Sequence, residues 1–187
     1  CGACAGPASG GGGGGGTAGP LVAAVLPGSR AVLNGTSASA FGISINAGTA
    51  TATDCSIAPM TVVPATFSYQ TTDPATNALT GTVNTPADIA AGGSQSFVFE
   101  FTPFQPFSAT EIELSFDCTN TSPADVSPGV NTFTLVSTSV AGPDVIAISL
   151  TPTGDGIAAI PGPNGALAVA VATANVGASG DVTMSAN

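Results

Sequence analysis

The sequence predicts an all-β protein whose main body is an antiparallel β-sandwich. From residue 21 onward apolar residues recur with a period of two, and Gly, Pro, Asn and Asp separate the apolar runs. No stretch keeps the spacing of a helix. Many short alternating strands with turn residues between them are typical of two packed antiparallel sheets.

The alternation is clearest in two segments. In residues 94–103 three phenylalanines share one face and Glu100 lies on the other, and in residues 111–118 every second residue is apolar while acidic and hydroxyl residues fill the opposite face. Both patterns indicate half-buried strands. In chain order, the predicted strands are residues 22–26, 38–46, 65–72, 94–103, 111–118, 131–140, 145–151, 166–175 and 182–185.

Charge and composition exclude several classes of function. The chain has 187 residues, with one basic residue against eleven acidic ones, a formal net charge of -10 and no His. Nucleic-acid binding needs clustered cations, and the only one here is Arg30. Without His, triad hydrolases and imidazole-bound metals are also excluded.

The proportion of charged residues is low. Only 6% of the residues are charged, against about a quarter in an average soluble domain. Such a surface depends on Ser, Thr, Asn and Gly for its solubility, or else an assembly covers much of it.

Cys55 and Cys118 are predicted to form a structural disulfide. They are 63 residues apart, and each lies near the end of a strand, where a bond could bridge the two sheets of a sandwich. Such a bond would stabilise the fold by about 4 kcal/mol. A redox pair would need close spacing and a nearby cation, which these cysteines lack.

The segment 1–20 is rich in glycine and begins CGACAG. That beginning resembles a bacterial lipoprotein whose Cys1 is acylated after its signal peptide has been removed. The alternative is a bond between Cys1 and Cys4, and both interpretations imply export. Seven glycines run from Gly10 to Gly16. They form either a flexible tether or, if ordered, a segment packed between subunits.

Two distant segments have similar sequences. AFGISINAGTATAT and VAVATANVGASGDVT each hold an apolar strand that ends in Asn-x-Gly, and Asn175 follows Asn46 by 129 residues. We therefore expect a sandwich at residues 21–142 and an incomplete second repeat at 143–187 that another chain completes. The expected contacts between subunits are Gly10, Gly13, Gly16, Val169, Val171 and Val182.

Three patterns, PDVIAISLTP, INAGTATA and IAAGGSQSFVFEFTP, resemble the immunoglobulin-like adhesion repeats of bacterial surface proteins, of the CARDB type. The resemblance implies an immunoglobulin-like sandwich on the bacterial surface or outside the cell, with a role in adhesion or assembly. It implies no ligand and no active site.

The sequence offers one cluster to consider for catalysis and one position to consider for calcium. Glu111 and Glu113 share a strand face that Glu100 could neighbour, as in a glycosidase dyad, but one Tyr and no Trp make a sugar cleft improbable. The aspartates are scattered, so no calcium loop is predicted; the alternative is a calcium site near Asp144 and Asp155. In the Pro-flanked loop that follows residue 101, Phe104 and Phe107 are expected to be exposed and could form an adhesive patch.

The sequence therefore predicts a non-enzymatic, extracellular or surface protein without cofactor, metal or transmembrane segment. Its expected role is the structural subunit of a filament, a helical homopolymer assembled by β-strand or edge pairing. The alternative is a monomeric adhesion or binding module anchored by lipid at Cys1, or a fragment of a longer multi-repeat adhesin.

Overall fold

A computed structural model describes residues 16–150, 160, 162–167 and 169–183, and for residues 149 and 150 the backbone alone. Within these ranges the chain forms eleven strands and no helix. The strands are β1 (Leu21–Leu26), β2 (Ser29–Leu33), β3 (Ala38–Asn46), β4 (Ala52–Pro59), β5 (Ala65–Thr72), β6 (Ala87–Ile89), β7 (Ser94–Pro103), β8 (Phe107–Asp117), β9 (Thr132–Thr138), β10 (Val145–Leu150) and β11 (Ala170–Asn175).

The first nine strands form a β-sandwich. One sheet has the order β1-β3-β7-β5 and the other the order β2-β9-β8-β4-β6. With β1, β3, β5 and β7 as strands A, B, D and E, the first order is the A-B-E-D sheet of an immunoglobulin domain. The predicted fold class is confirmed, with one parallel pair, β2 with β9, among antiparallel ones. This pair arises because the edge strand changes sheets at Pro27 and Gly28, between β1 and β2.

The core lies between the two sheets and is aromatic. Phe97, Phe99 and Phe101 of β7 are buried, as the alternation predicts. Phe133 of β9 meets Phe99 edge to face at 5.4 Å between ring centroids and stacks on Phe101 at 5.8 Å. Each fully buried phenylalanine contributes about 1.5–3 kcal/mol, so these rings hold the two sheets together.

Three strands were not predicted: β2, β4 and β6. In β4 the register shifts between Ala52 and Cys55, and Asp54 has a positive φ of 51°. This irregularity places Ala52, Cys55 and Ile57 on the buried side, which breaks the alternation expected of a regular strand. The other two have five and three residues, too short for a clear period.

The disulfide between Cys55 and Cys118 is confirmed, but its expected position across the sandwich was wrong. Cys55 lies in β4 and Cys118 directly follows β8, and these strands are neighbours in the five-stranded sheet. Their Cα atoms are 4.0 Å apart and both residues are buried. The bond therefore joins adjacent strands of one sheet.

Strands β10 and β11 form a separate two-stranded antiparallel sheet, from Val145 paired with Asn175 to Leu150 paired with Ala170. The strands expected at 145–151 and 166–175 are thus present within narrower bounds. Residues 182 and 183 lie in no strand, which contradicts the start of the strand expected there, and 184–187 lie outside the described residues. The division into domains at residues 20 and 142 stays a prediction.

Candidate interaction site

Asn46, at the end of β3, ties the start of the sandwich to the turn that follows. Its side chain is fully buried. Its Oδ1 accepts hydrogen bonds from the N–H groups of Gly19 at 2.9 Å and Gly48 at 3.0 Å. Its Nδ2 donates to the carbonyl of Ala50 at 2.8 Å. One amide thus closes the antiparallel β1–β3 pair from both sides. Although β2 lies between these strands in sequence, such a pair closed by Asn-x-Gly is called a hairpin below.

Asn175, at the end of β11, makes the same kind of contacts. Its Oδ1 accepts hydrogen bonds from the N–H groups of Asp144 at 2.9 Å and Gly177 at 3.0 Å, and its Nδ2 donates to the carbonyl of Ala178 at 2.8 Å. The β10–β11 hairpin therefore repeats the local structure of the β1–β3 hairpin.

One contact differs between the two hairpins for a chemical reason. The carbonyl of Pro20 accepts from the N–H of Ala47 at 3.0 Å, and the carbonyl of Asp144 accepts from the N–H of Val176 at 2.8 Å, so Pro20 and Asp144 hold equivalent positions. Proline has no N–H. The Asn46 side chain therefore bonds the preceding residue, Gly19, instead.

The glycine of Asn-x-Gly is required by close backbone approach in both hairpins. A Cβ on Gly48 would lie 2.5 Å from the nitrogen of Gly19, and a Cβ on Gly177 would lie 2.6 Å from the nitrogen of Asp144. No side chain fits at such distances. The sequence repeat thus encodes a specific hairpin closure.

The two hairpins differ at the edge of β3 and of β11 that faces away from β1 and β10. In the sandwich, Asn46 Nδ2 also donates to the carbonyls of Ile89 at 3.0 Å and Ala90 at 3.2 Å, and its N–H donates to the carbonyl of Gly93 at 3.0 Å. Beyond this turn, β7 pairs with the full length of β3. No strand within the described ranges pairs with the outer edge of β11, and the side chains of β11 are exposed throughout.

The valines predicted to contact another subunit are exposed. Val169 is 52% exposed, Val171 60% and Val182 49%. At the repeat distance of 129 residues, Val169 and Val171 correspond to Ala40 and Gly42, which are buried in the sandwich. These valines therefore hold positions that face a core in the complete sandwich, and their contact with another subunit stays a prediction.

The second hairpin is attached to the sandwich by the only cation of the chain. Arg30 Nε, in β2, lies 2.7 Å from Asp144 Oδ2, and the N–H of Ala31 donates to Asp144 Oδ1 at 2.9 Å. Arg30 Nη1 donates to the carbonyl of Ser39 at 2.8 Å. Asp144 is buried and is an ion-pair partner, so the calcium candidate was wrong at Asp144. Asp155 lies outside the described residues.

Of the amino-terminal residues expected to act in anchoring or assembly, Gly16 alone falls within the described ranges. Cys1, Cys4, Gly10 and Gly13 lie outside the described residues. Gly16 approaches the carbonyl oxygen of Thr49 so closely that a Cβ on it would lie 2.6 Å away. A role of Gly16 between subunits stays a prediction.

The three glutamates of β7 and β8 do not form one cluster. Glu111 and Glu113 lie on β8, and Glu111 Oε1 accepts a hydrogen bond from Thr132 Oγ1 at 2.7 Å. Glu100 belongs to β7 in the opposite sheet, where Ser68 Oγ donates to its Oε1 at 3.2 Å. The expected proximity of Glu100 was therefore wrong. In the part of the chain that the structure describes, no group of three or more His, Cys, Asp or Glu could hold a metal.

The two loop phenylalanines have different surroundings. Phe104 is 59% exposed, as expected. Phe107 starts β8 and packs against the core, so its predicted exposure was wrong. The candidate adhesive patch in this loop is reduced to one side chain.

The described ranges contain no helix long and apolar enough to cross a membrane. The disulfide fits an extracellular or secreted protein, because such bonds persist in oxidising compartments.

No family model matches the chain, and no curated protein matches it. One similar solved structure is a family 123 glycoside hydrolase from Clostridium perfringens, a protein studied for glycolipid glycan hydrolysis. It is 8% identical, the match has a TM-score of 0.37, and it covers 63% of this chain and 26% of the hydrolase. This chain therefore spans about a quarter of that protein's length.

Proposed function

We propose that this protein is a non-enzymatic structural subunit of an extracellular bacterial filament or surface appendage, assembled by β-strand or edge pairing between subunits. One observation carries the proposal. The β10–β11 hairpin reproduces the closure of the β1–β3 hairpin, yet the edge that β7 occupies in the sandwich has no partner among the described residues.

An unpaired edge of this kind favours association. Its backbone N–H and C=O groups are a template for another strand, and a two-stranded sheet alone is marginally stable in water. The exposed Val169 and Val171 add apolar surface beside that edge. A strand from another subunit would satisfy the backbone and cover the valines together.

Low charge also supports assembly. The chain has eleven acidic residues but is only 6% charged, and the one cation is held by Asp144. Few charged side chains therefore have to lose water when subunits meet. The resemblance to CARDB-type surface repeats supports a place on the cell surface.

Sedimentation velocity and electron microscopy over a range of concentrations test the proposal. We expect polymers in the unmodified chain and their loss in Val171→Lys, because a buried charge on β11 opposes strand addition. The matched control is Val62→Lys, at a loop position that is 97% exposed. A monomer at every concentration, or equal polymer in both variants, would contradict the proposal.

A second candidate is a monomeric adhesion or binding module anchored by lipid. The motif Cys1-Gly2-Ala3-Cys4 favours it, because it resembles a lipoprotein acylation site. Intact mass of the protein from its native membrane separates the two candidates. A lipid adduct on Cys1 with monomeric sedimentation supports the anchor, whereas an unmodified or Cys4-bonded Cys1 contradicts it.

A further inference from the structure

We infer that the edge of β11 that no strand of the described residues occupies, with the side chain of Asn175 at its end, accepts one extended strand of the β7 type from a second polypeptide. This strand would begin with a glycine turn and continue as alternating apolar residues. The inference rests on the proposed function, because it names the strand and the side chain that recognises it.

The occupant follows from the complete sandwich. There, β7 runs antiparallel to β3, from Ile45 paired with Ser94 to Ala38 paired with Phe101. The hairpins correspond at a distance of 129 residues, so the same edge on β11 runs back from Ala174. A strand on this edge would therefore run antiparallel to β11, with its amino-terminal end beside Asn175.

Asn175 has hydrogen-bonding capacity left for such a strand. A side-chain amide nitrogen carries two N–H groups. Asn46 Nδ2 donates to the carbonyls of Ala50, Ile89 and Ala90, the last two from the turn that precedes β7. Among the described residues Asn175 Nδ2 donates to Ala178 alone. Among these residues, one of its two N–H groups is therefore left for a carbonyl of an incoming turn.

The turn sets a requirement on the partner. Between β6 and β7 the chain passes through Gly92, which has a φ of +66°, and Gly93, whose carbonyl accepts the N–H of Asn46. Glycine adopts this backbone conformation without strain. A partner that reaches Asn175 in the same way needs glycine at this point, directly before its strand.

A labelled synthetic peptide of residues 89–103 serves as the probe, because it contains both the turn and the strand. Its binding to the full 187-residue chain is measured by fluorescence anisotropy, with a peptide of the same composition in scrambled order as control. We expect saturable binding of the ordered peptide only. Equal binding of both peptides, or of neither, overturns the inference.

The role of Asn175 is tested with Asn175→Ala. Loss of hydrogen bonds worth about 1 kcal/mol should weaken peptide binding about fivefold. The matched control is Asn164→Ala, in an exposed turn. Hydrogen exchange supplies a second measurement that does not need the variant: the peptide should slow exchange of the backbone N–H groups of β11. The assignment is refuted if Asn175→Ala binds the peptide with unchanged affinity and the peptide does not slow the exchange of the β11 N–H groups.

The outcomes separate this inference from the proposed assembly. Peptide binding that depends on Asn175, in a chain that remains monomeric, supports the strand-accepting edge and contradicts the filament. Polymers that form equally in Asn175→Ala, and that excess peptide does not dissolve, support the filament and overturn this edge as its joint.

Discussion

Asn46 and Asn175 show how much one side chain contributes in two surroundings. Both close a hairpin with the same amide, but Asn46 is buried and bonds the β6–β7 turn as well, whereas Asn175 is exposed. Because buried donors left without partners are costly, the two residues should differ in their contribution to stability.

We predict that Asn46→Ala lowers the free energy of unfolding by about 3 kcal/mol, because it leaves several buried backbone groups unpaired. Asn175→Ala should change it by less than about 0.5 kcal/mol, as is usual for exposed positions. Urea denaturation, monitored by far-UV circular dichroism, measures the free energy of unfolding of both variants. Similar losses in the two variants would disprove this difference.

Asp73 introduces a pH dependence. The N–H and the hydroxyl of Thr76, with the N–H of Ala75, donate to its Oδ1 and hold the pKa of this carboxyl below its usual range. The contribution to stability is therefore present above about pH 4, the unfolded pKa, and is lost as the pH falls through the lower folded pKa.

We expect Thr76→Val to raise the pKa of Asp73 towards its ordinary value, because one donor to the carboxylate is removed. Titration of the Asp73 carboxyl carbon by NMR measures this directly. In Asp73→Asn the acid-dependent loss of stability should become smaller. An unchanged midpoint in Thr76→Val would show that its hydroxyl does not stabilise the charge.

At the scale of secondary structure, regular alternation decided which strands were predictable. The predicted bounds of β3, β5 and β7 match the structure. Buried residues alternate with more exposed ones through all of β3 and most of β7, whereas β5 alternates less regularly. The irregularity at Asp54 hid β4, and β2 and β6 are short. Periodicity detects a strand only when it is long and regular enough to show a period.

The disulfide joins β4 to β8, and its removal should weaken the sandwich. We predict that the double variant Cys55→Ser with Cys118→Ser loses about 4 kcal/mol of unfolding free energy, because the unfolded chain regains the freedom of a long loop. Chemical denaturation with and without reductant checks this. The double variant should be insensitive to reductant, and a reductant effect of equal size in it would contradict the assignment.

At the scale of the whole molecule, the ion pair between Arg30 and Asp144 joins the second hairpin to the sandwich. We predict that Asp144→Ala frees the hairpin and leaves the nine-stranded sandwich folded, since the aromatic core lies elsewhere. Loss of one partner of a largely buried pair costs about 3–5 kcal/mol. Hydrogen exchange should rise in β10 and remain slow in β7 and β8.

The matched variant Arg30→Gln keeps a hydrogen-bond donor near Asp144, so it should loosen the hairpin less than Asp144→Ala does. Asp144 also accepts from the N–H of Ala31, a bond that Arg30→Gln retains. Equal exchange in β10 for both variants and the unmodified chain would show that the ion pair does not hold the hairpin.

The order of residues along the chain was sufficient for the all-β class, the main strands and the Asn-x-Gly repeat, because side-chain alternation and local motifs depend on neighbouring residues. It also indicated the disulfide pair, because both cysteines lie near strand ends and lack the spacing of a redox pair. The tertiary structure alone decided that Cys55 and Cys118 share a sheet, that Glu100 and Glu111 lie in different sheets, and that Asp144 forms an ion pair with Arg30. Strand order and register arise from contacts between distant residues, which no local pattern encodes.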